Sequence, residues 1–204
     1  MIHLSQLLLD PSCPQVQAEL RDPYQMHRTL SKGFGDGPAF AAARCLFRVD
    51  EAGDTAGLRL LVQSLTEPDW QRLTARPGYL LGAPQVRQFE PAFAPGQRLA
   101  FRLRANPTVK RDGKRLALYR EEEHLAWLRR KAEASGFVVS SAAARLPQKL
   151  GFRTTRGFDT RLFGVTFDGR LLVNEPIKAV AALVAGIGSA KAFGFGLLSV
   201  ARLS

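Results

Sequence analysis

Ile2-His3-Leu4-Ser5-Gln6-Leu7-Leu8-Leu9-Asp10-Pro11 opens the chain as an apolar-rich strand ended by an aspartate–proline stop. A helical stretch follows from about Gln15 to Lys32, interrupted at Asp22-Pro23. Aspartate is a good N-cap and proline suits the first helical position, so a second helix starts afresh there. The glycine-rich segment from Gly33 to Pro38 ends it. Strands are expected from Arg44 to Val49 and from Leu58 to Leu65, joined by Asp50-Glu51-Ala52-Gly53-Asp54. Glu67-Pro68-Asp69-Trp70 then opens a short helix, and Gln85 to Phe89 closes the half as a strand. The order strand–helix–strand–strand–helix–strand is that of a ferredoxin-like domain.

Pro91 to Gly96 reads as a linker, and the pattern then partly repeats. Gln97 to Ala105 is a strand, Leu116 to Tyr119 another, with a basic loop between them. A helix is expected from Glu121 to about Ala134, with acids in its first turn and Arg129, Arg130 and Lys131 near its end. That polarity complements the helix dipole. Strands follow at Phe137 to Ser140, Lys149 to Thr155, Leu162 to Phe167 and Leu171 to Val173, with Asp168-Gly169 as a hairpin turn for the last pair. Glu175-Pro176 begins a helix from Ile177 to Ala185. The fold class is therefore α+β, with tandem ferredoxin-like (RRM-like) domains at 1–92 and 93–204. In the second, the strands outnumber the simple template.

Composition narrows the function. Of 204 residues, 29 are Lys or Arg and 18 are Asp or Glu, giving a net charge of +11. Such an excess captures polyanions over a Debye length. No apolar run approaches the roughly 20 residues that span a bilayer, and no lipid-binding basic helix stands out. Met1 to Asp10 has no basic start and no cleavage site, so it is not a signal peptide. Cys13 and Cys45 lack metal-ligand spacing, and two cysteines make no disulfide framework. A reducing, cytoplasmic setting fits. No His-x-x-x-His pair or paired acidic box appears, so a metal-dependent nuclease site and a bound cofactor are not expected.

Gly186-Ile187-Gly188-Ser189-Ala190-Lys191-Ala192-Phe193-Gly194-Phe195-Gly196 holds four glycines and one lysine in eleven residues. Free backbone amides around a cation, with Gly188 and Lys191 central, would cradle a phosphate oxygen. The other reading is a glycine-rich turn ahead of a last strand. A nucleotide-binding enzyme of another class is disfavoured, since no Walker-type Gly-Lys-Ser/Thr ending is present.

Among three histidines, His124 is expected at the surface of its helix, and His3 faces either way in the first strand. His27 differs. It follows Tyr24 by three residues, so both side chains share one helix face, with Ser31 four further on and Arg28 and Lys32 flanking. A phenol, an imidazole and nearby cations suit acid–base chemistry on a phosphodiester. The alternative is that Tyr24 and His27 merely pack beneath a sheet. Arg102, Arg104, Lys110, Arg111, Lys114 and Arg115 form a basic hairpin able to track phosphates. Arg153, Arg156 and Arg161 form a second basic set, with Phe158 placed to stack on a base or to join the core.

Several of these segments together resemble one family. They are Asp22-Pro23-Tyr24-Gln25-Met26-His27-Arg28-Thr29-Leu30-Ser31-Lys32, Leu65-Thr66-Glu67-Pro68-Asp69-Trp70, the run from Pro95 to Pro107, and the glycine stretch with Leu197-Leu198-Ser199-Val200. The chain resembles, nearly end to end, the CasE-type CRISPR RNA endoribonucleases, the repeat-processing subunit of type I-E Cascade complexes. The Gly-x-Gly-x5-Gly-x-Gly pattern with its internal lysine is the broader signature of repeat-associated RNA-binding proteins. The resemblance implies tandem ferredoxin-like domains, a repeat RNA stem-loop as substrate, other Cascade subunits as partners, and no membrane. It also implies one metal-independent cut at the 3′ base of the stem, with His27 catalytic and Tyr24 beside it. The glycine stretch and basic hairpins would hold the RNA, and Lys32, Arg153 and Arg156 would contact it.

RNA supplies its own nucleophile. The 2′-hydroxyl is tethered beside the scissile phosphate, so in-line orientation is the main task. His27 would exchange a proton with the nucleophile or the leaving oxygen, Tyr24 would position or protonate, and Lys32 or a nearby arginine would offset phosphorane charge. The products would be a 2′,3′-cyclic phosphate and a 5′-hydroxyl, with the protein staying on its product. A non-catalytic RNA-binding subunit of the same assembly is the rival reading.

Overall fold

Backbone pairing gathers the first half into a four-stranded antiparallel sheet. The computed structural model describes residues 1–35, 37–51, 57–153 and 159–203, without the side chains of 146–148, 152–153 and 159–160. The chain divides into two compact units, Met1–Pro91 with Ala192–Gly194, and Ala92–Lys191 with Phe195–Ser204.

In the first unit the elements are β1 (Ile2–Leu9), α1 (Pro14–Arg21), α2 (Pro23–Ser31), α3 (Pro38–Ala43), β2 (Leu46–Glu51), β3 (Leu58–Ser64), α4 (Gln71–Thr74) and β4 (Gln85–Phe89). The sheet order β2-β3-β1-β4 is the ferredoxin-like one. Along β1, Leu7 and Leu9 point into a core shared with Val16 of α1, Met26 and Leu30 of α2 and Leu73 of α4. Each such aliphatic side chain contributes about 2 kcal/mol on burial. The α1–α2 break forms as expected: Pro23 sits in the first turn, and the Asp22 carboxylate accepts the Tyr24 N–H at 3.1 Å. One helix was not anticipated. Proline starts α3 after the glycine-rich turn, and Arg44 ends it in a left-handed conformation.

The second unit contains β5 (Arg98–Ala105), β6 (Thr108–Arg111), β7 (Lys114–Ala117), α5 (Glu121–Ala134), β8 (Phe137–Arg153), β9 (Asp159–Val173), α6 (Pro176–Ala185) and β10 (Leu198–Arg202). Its sheet runs β10-β5-β9-β8, the ferredoxin-like order again, with β6 and β7 set aside as an inserted hairpin. The chain is thus an α+β protein with two ferredoxin-like sheets in tandem.

The surplus of expected strands has a simple cause. Phe137 to Ser140 and Lys149 onward belong to one long strand, β8, and Leu162 to Phe167 and Leu171 to Val173 to another, β9. Asp168-Gly169 is therefore not a hairpin turn. It lies mid-strand, where Gly169 meets Phe101 of β5 and Ala142 of β8 in register. Glycine is required there because β8 bulges between Val139 and Ser141, and a Cβ on Gly169 would collide with the Ser141 carbonyl oxygen. Asp168 serves instead as an acceptor for Arg102 on the neighbouring strand. Beyond the reach of β5, β8 and β9 pair alone as a two-stranded ribbon from Gln148↔Gly164 to Arg153↔Asp159.

His124 is a second correction. It is only 2% exposed, and its Nε2 lies 2.9 Å from the Leu118 carbonyl. Three and four residues before the buried Trp127 and Leu128, it falls on the inner stripe of α5 despite its acidic neighbours. His3 faces inward, with its Nδ1 unpartnered among the described residues. Among the described residues no helix is long and apolar enough to cross a membrane.

The α1–α2 corner is fastened by a buried carboxylate. Glu19, 3% exposed, accepts hydrogen bonds from Gln15 Nε2 at 2.7 Å, Thr29 Oγ1 at 2.6 Å and the Tyr79 hydroxyl at 2.6 Å. Burial, reinforced by this carboxylate, pushes the Tyr79 phenol well above its usual range, so it remains a donor. Glu19→Ala strands two buried hydroxyls and should cost about 3 kcal/mol in denaturant titrations. The Glu19→Ala/Tyr79→Phe double variant should lose less than the summed single losses; additive losses would contradict the network.

Candidate active site and RNA-binding surfaces

Helix α2 carries two faces. Met26, Thr29 and Leu30 are buried, while Tyr24 and His27 are half-buried on the flank and Arg28 is exposed. Their rings lie nearly parallel, 6.0 Å apart with 15° between planes. The imidazole is walled by Phe40 of α3, edge-on at 4.9 Å, and by Phe47 of β2 at 6.5 Å. The Tyr24 ring meets Phe193, from the glycine stretch, at 6.0 Å. Phe193 and Gly194 belong to the first unit, and Gly194 passes directly over Phe47.

This aromatic surround explains the electrostatics. Burial disfavours the charged form and holds the His27 pKa below its ordinary value of 6.5. At neutral pH the imidazole is uncharged and able to accept a proton. It is also reachable, since the side chain is not sealed in the core. Phe40, Phe47 and Phe193 are the site residues that sequence reasoning missed. Phe193 was quoted within the glycine stretch, but nothing in its spacing tied it to Tyr24.

The cations around this pair are arranged differently. Ser31 turns back to donate to the Arg28 carbonyl at 2.8 Å, and Arg28 reaches Gln25 at 3.5 Å. Lys32 ends α2, exposed, and makes no ion pair among the described residues. Five residues past His27, it is turned roughly 140° away around the helix axis. It lines a separate depression with Phe34, Glu67, Asp69 and Arg72.

In the second unit the basic residues fall into two sets. Lys110, Arg111, Lys114 and Arg115 are exposed on the β6–β7 hairpin, closed by Asp112 and Gly113, both at positive φ. That is the turn geometry the strand twist favours. Register places Lys110 opposite Arg115 and Arg111 opposite Lys114. Like charges directly across a ladder repel. Arg102 instead forms a forked pair with Asp168, at 2.6 and 3.2 Å, with Arg145 at 3.8 Å from the same carboxylate. Arg104 lies over the Phe195 ring at 5.4 Å.

Arg161 is exposed on the β8–β9 ribbon. Arg156 and Phe158 lie outside the described residues, as does the side chain of Arg153. Gly188 packs against Trp127, and Lys191 is half-buried. The glycine stretch spends several amides internally: Gly186 bonds Ala182, Ile187 bonds Gly196, and Gly196 bonds Arg104. The Ser189 hydroxyl is buried and unpartnered among the described residues. Among the described residues no three His, Cys, Asp or Glu side chains cluster as metal ligands. Burial pushes the Cys45 thiol up to about 12, leaving it protonated.

The profile of a family described as CRISPR associated protein matches residues 2–202. The chain belongs to that family. It is 40% identical to the CRISPR-associated endoribonuclease Cse3 of Thermus thermophilus, over 97% of this chain and 99% of that one. Against the CRISPR system Cascade subunit CasE of Escherichia coli K12 the identity is 31%, over 90% of this chain and 94% of the other. A solved structure of CRISPR endoribonuclease Cse3 bound to 19 nt RNA superimposes with a TM-score of 0.87 at 38% identity, covering 98% of this chain and 100% of that one. The tandem ferredoxin-like fold is common to this chain and to the structures it matches.

The aromatic wall makes a direct prediction. Titration of the His27 ring by NMR in the free protein should give a midpoint below 6.5, and Phe40→Ala, by admitting water, should raise it toward that value. Since folding lowers this pKa, His27 adds stability above about pH 6.5 that fades as acidification proceeds through the folded-state value. A wild-type midpoint at or above 6.5 would remove the burial argument.

Proposed function

We propose that this chain cuts CRISPR repeat RNA at the 3′ base of its stem-loop and retains the product. It is an RNA-processing endoribonuclease of its family, with repeat RNA and the other subunits of a Cascade complex as partners. The half-buried, neutral His27 stacked beside Tyr24 at the surface of α2 is the observation that carries the chemistry.

An uncharged imidazole enters the reaction as a base. His27 takes the proton of the 2′-hydroxyl upstream of the scissile phosphate. The freed oxygen attacks phosphorus, and the bond to the 5′-oxygen breaks. The products are a 2′,3′-cyclic phosphate and a 5′-hydroxyl, the leaving oxygen collecting a proton from the Tyr24 phenol or from water. Arg28, exposed on the same helix, offsets charge on the phosphorane from the solvent side. The nucleophile is already part of the substrate, so no metal is needed to generate one.

Holding the RNA falls to the exposed cations. The hairpin from Lys110 to Arg115 sets four of them in facing pairs, an arrangement a polyanion relieves. A stem offers phosphates and 2′-hydroxyls rather than readable major-groove edges, which suits cations on extended arms. Arg161 extends this on the β8–β9 ribbon, and Arg153 and Arg156 are further RNA contacts of this reading. Gly188 and Lys191 contribute from the glycine stretch, while Arg102 and Arg104 serve through the sheet. Such an enzyme acts in the cytoplasm, where precursor transcripts are made.

With excess EDTA present, purified protein should still cut a repeat hairpin once. RNA left intact would favour a purely structural RNA-binding subunit. His27→Ala should lower the single-turnover rate about a hundredfold or more with binding unchanged, and one 2′-deoxy sugar before the cut should abolish cleavage. Neutralising the hairpin with Lys110→Gln and Arg115→Gln should leave the fold equally or slightly more stable at low salt, since a repulsive pair is removed. The same variant should weaken RNA binding and flatten its salt dependence by about one slope unit per cation. An unchanged slope would take the hairpin out of the interface.

A further inference from the structure

The depression at the end of α2 has a volume of about 420 Å³ and lies wholly within the first unit. Lys32, Phe34, Thr66, Glu67, Asp69 and Arg72 contribute to its lining. Phe34 is 9% exposed and meets Trp70 edge-on at 5.5 Å. On its other side Phe40 stands 6.1 Å away, and Phe40 in turn contacts His27 at 4.9 Å. An unbroken aromatic row therefore runs from the depression to the imidazole. Along the helix axis Lys32 is about 7.5 Å beyond His27.

The polar groups around this apolar wall are of two kinds. Lys32 and Arg72 are exposed cations with no ion pair among the described residues. Glu67 and Asp69 are exposed carboxylates, and one Asp69 oxygen already accepts the Gln71 N–H at 2.9 Å. A base-paired stem is too wide for this volume, whereas one unpaired nucleotide fits. Unpaired bases are the parts of RNA that proteins take into pockets, against aromatic side chains and hydrogen-bonding edges.

From this we infer that the depression seats the first unpaired nucleotide 3′ of the cut, the phosphate on its 3′ side toward Lys32 and Arg72 and its base edge toward Glu67. The inference rests on the endoribonuclease reading, because a cut at the base of a stem places single-stranded RNA on the leaving side. The Glu67 carboxylate accepts from amino groups and repels carbonyl oxygens, so a base bearing an exocyclic amine is preferred to uracil. This subsite engages the substrate and not the retained product. It orients the leaving group while leaving the stem's grip untouched.

Two hairpins test it: one blocked by a 2′-deoxy sugar at the cut and carrying a short 3′ flank, the other ending at the cut. Arg72→Glu should weaken binding of the flanked hairpin about tenfold and of the truncated one by less than about twofold. Equal losses on both RNAs, or no loss on either, overturn the subsite. Glu67→Gln should erase the preference for an amino-bearing base over uracil at the first flanking position; an unaltered preference overturns the base contact. If Arg72→Glu fails to melt like the wild type, the wild type alone decides, since indifference to the flank in both binding and cleavage sinks the proposal. Wild-type protein that leaves an all-ribose hairpin uncut overturns the endoribonuclease reading as well. A cutting enzyme without flank dependence overturns the subsite alone.

Discussion

A carboxylate removed from water must have its lone pairs satisfied, and Glu19 sets the geometry of the first unit by meeting that demand. Its oxygens draw in α1 through Gln15, α2 through Thr29, and the segment before β4 through Tyr79. Together they fix the rotation of α2. With Thr29 turned inward beside Met26 and Leu30, Tyr24 and His27 must come to the flank. The chemistry-bearing face is thus determined from the opposite side of the helix. Desolvation makes this arrangement unforgiving: removing the Tyr79 hydroxyl takes from Glu19 Oε2 the hydrogen bond that satisfies it, whereas Oε1 is shared by Gln15 and Thr29.

Where the sequence was legible, local chemistry and global fold agreed. Asp22-Pro23 announces a helix start by capping and by proline's fixed φ, and β1, β4 and α5 have the boundaries their patterning suggests. The Tyr24–His27 pairing followed from helical spacing alone. Other features depend on partners far along the chain. Asp168-Gly169 has the local chemistry of a turn, but a bulge in β8 needed a residue without a Cβ opposite it, and Arg102 needed an acceptor. His124 looked exposed because its neighbours are acidic, whereas its position relative to Trp127 and Leu128 turns it inward. α3 is short, and proline and glycine frame it so closely that it resembles a loop in sequence. Phe40, the residue it delivers to the site, was hidden with it.

The charge excess is not distributed as a uniform coat. In the second unit one carboxylate, Asp168, engages both Arg102 and Arg145 on the sheet. On the β6–β7 hairpin the cations face one another across the ladder with no intervening acid in register. Folding gains nothing from that juxtaposition, and backbone pairing with a favourable turn must hold it together. In the proposed RNA-binding role an arriving anion cancels such repulsion, which couples affinity to the electrostatic strain of the free protein.

The imidazole and the cations are placed in opposite environments for related reasons. Cations that capture phosphate work best exposed, where their charge is kept at little desolvation cost and reaches outward. In the proposed reaction a base must give up its charge to be useful, and the aromatic enclosure of Phe40, Phe47 and Tyr24 does this for His27. Bringing a phosphodiester to that enclosure changes the balance. Its negative charge favours the imidazolium that forms on proton uptake, so the substrate itself supplies the field that stabilises the transferred proton. In the proposed reaction the free site is therefore poised as a base, and the occupied one as the holder of a proton. One half-buried histidine is enough to pass between those two states.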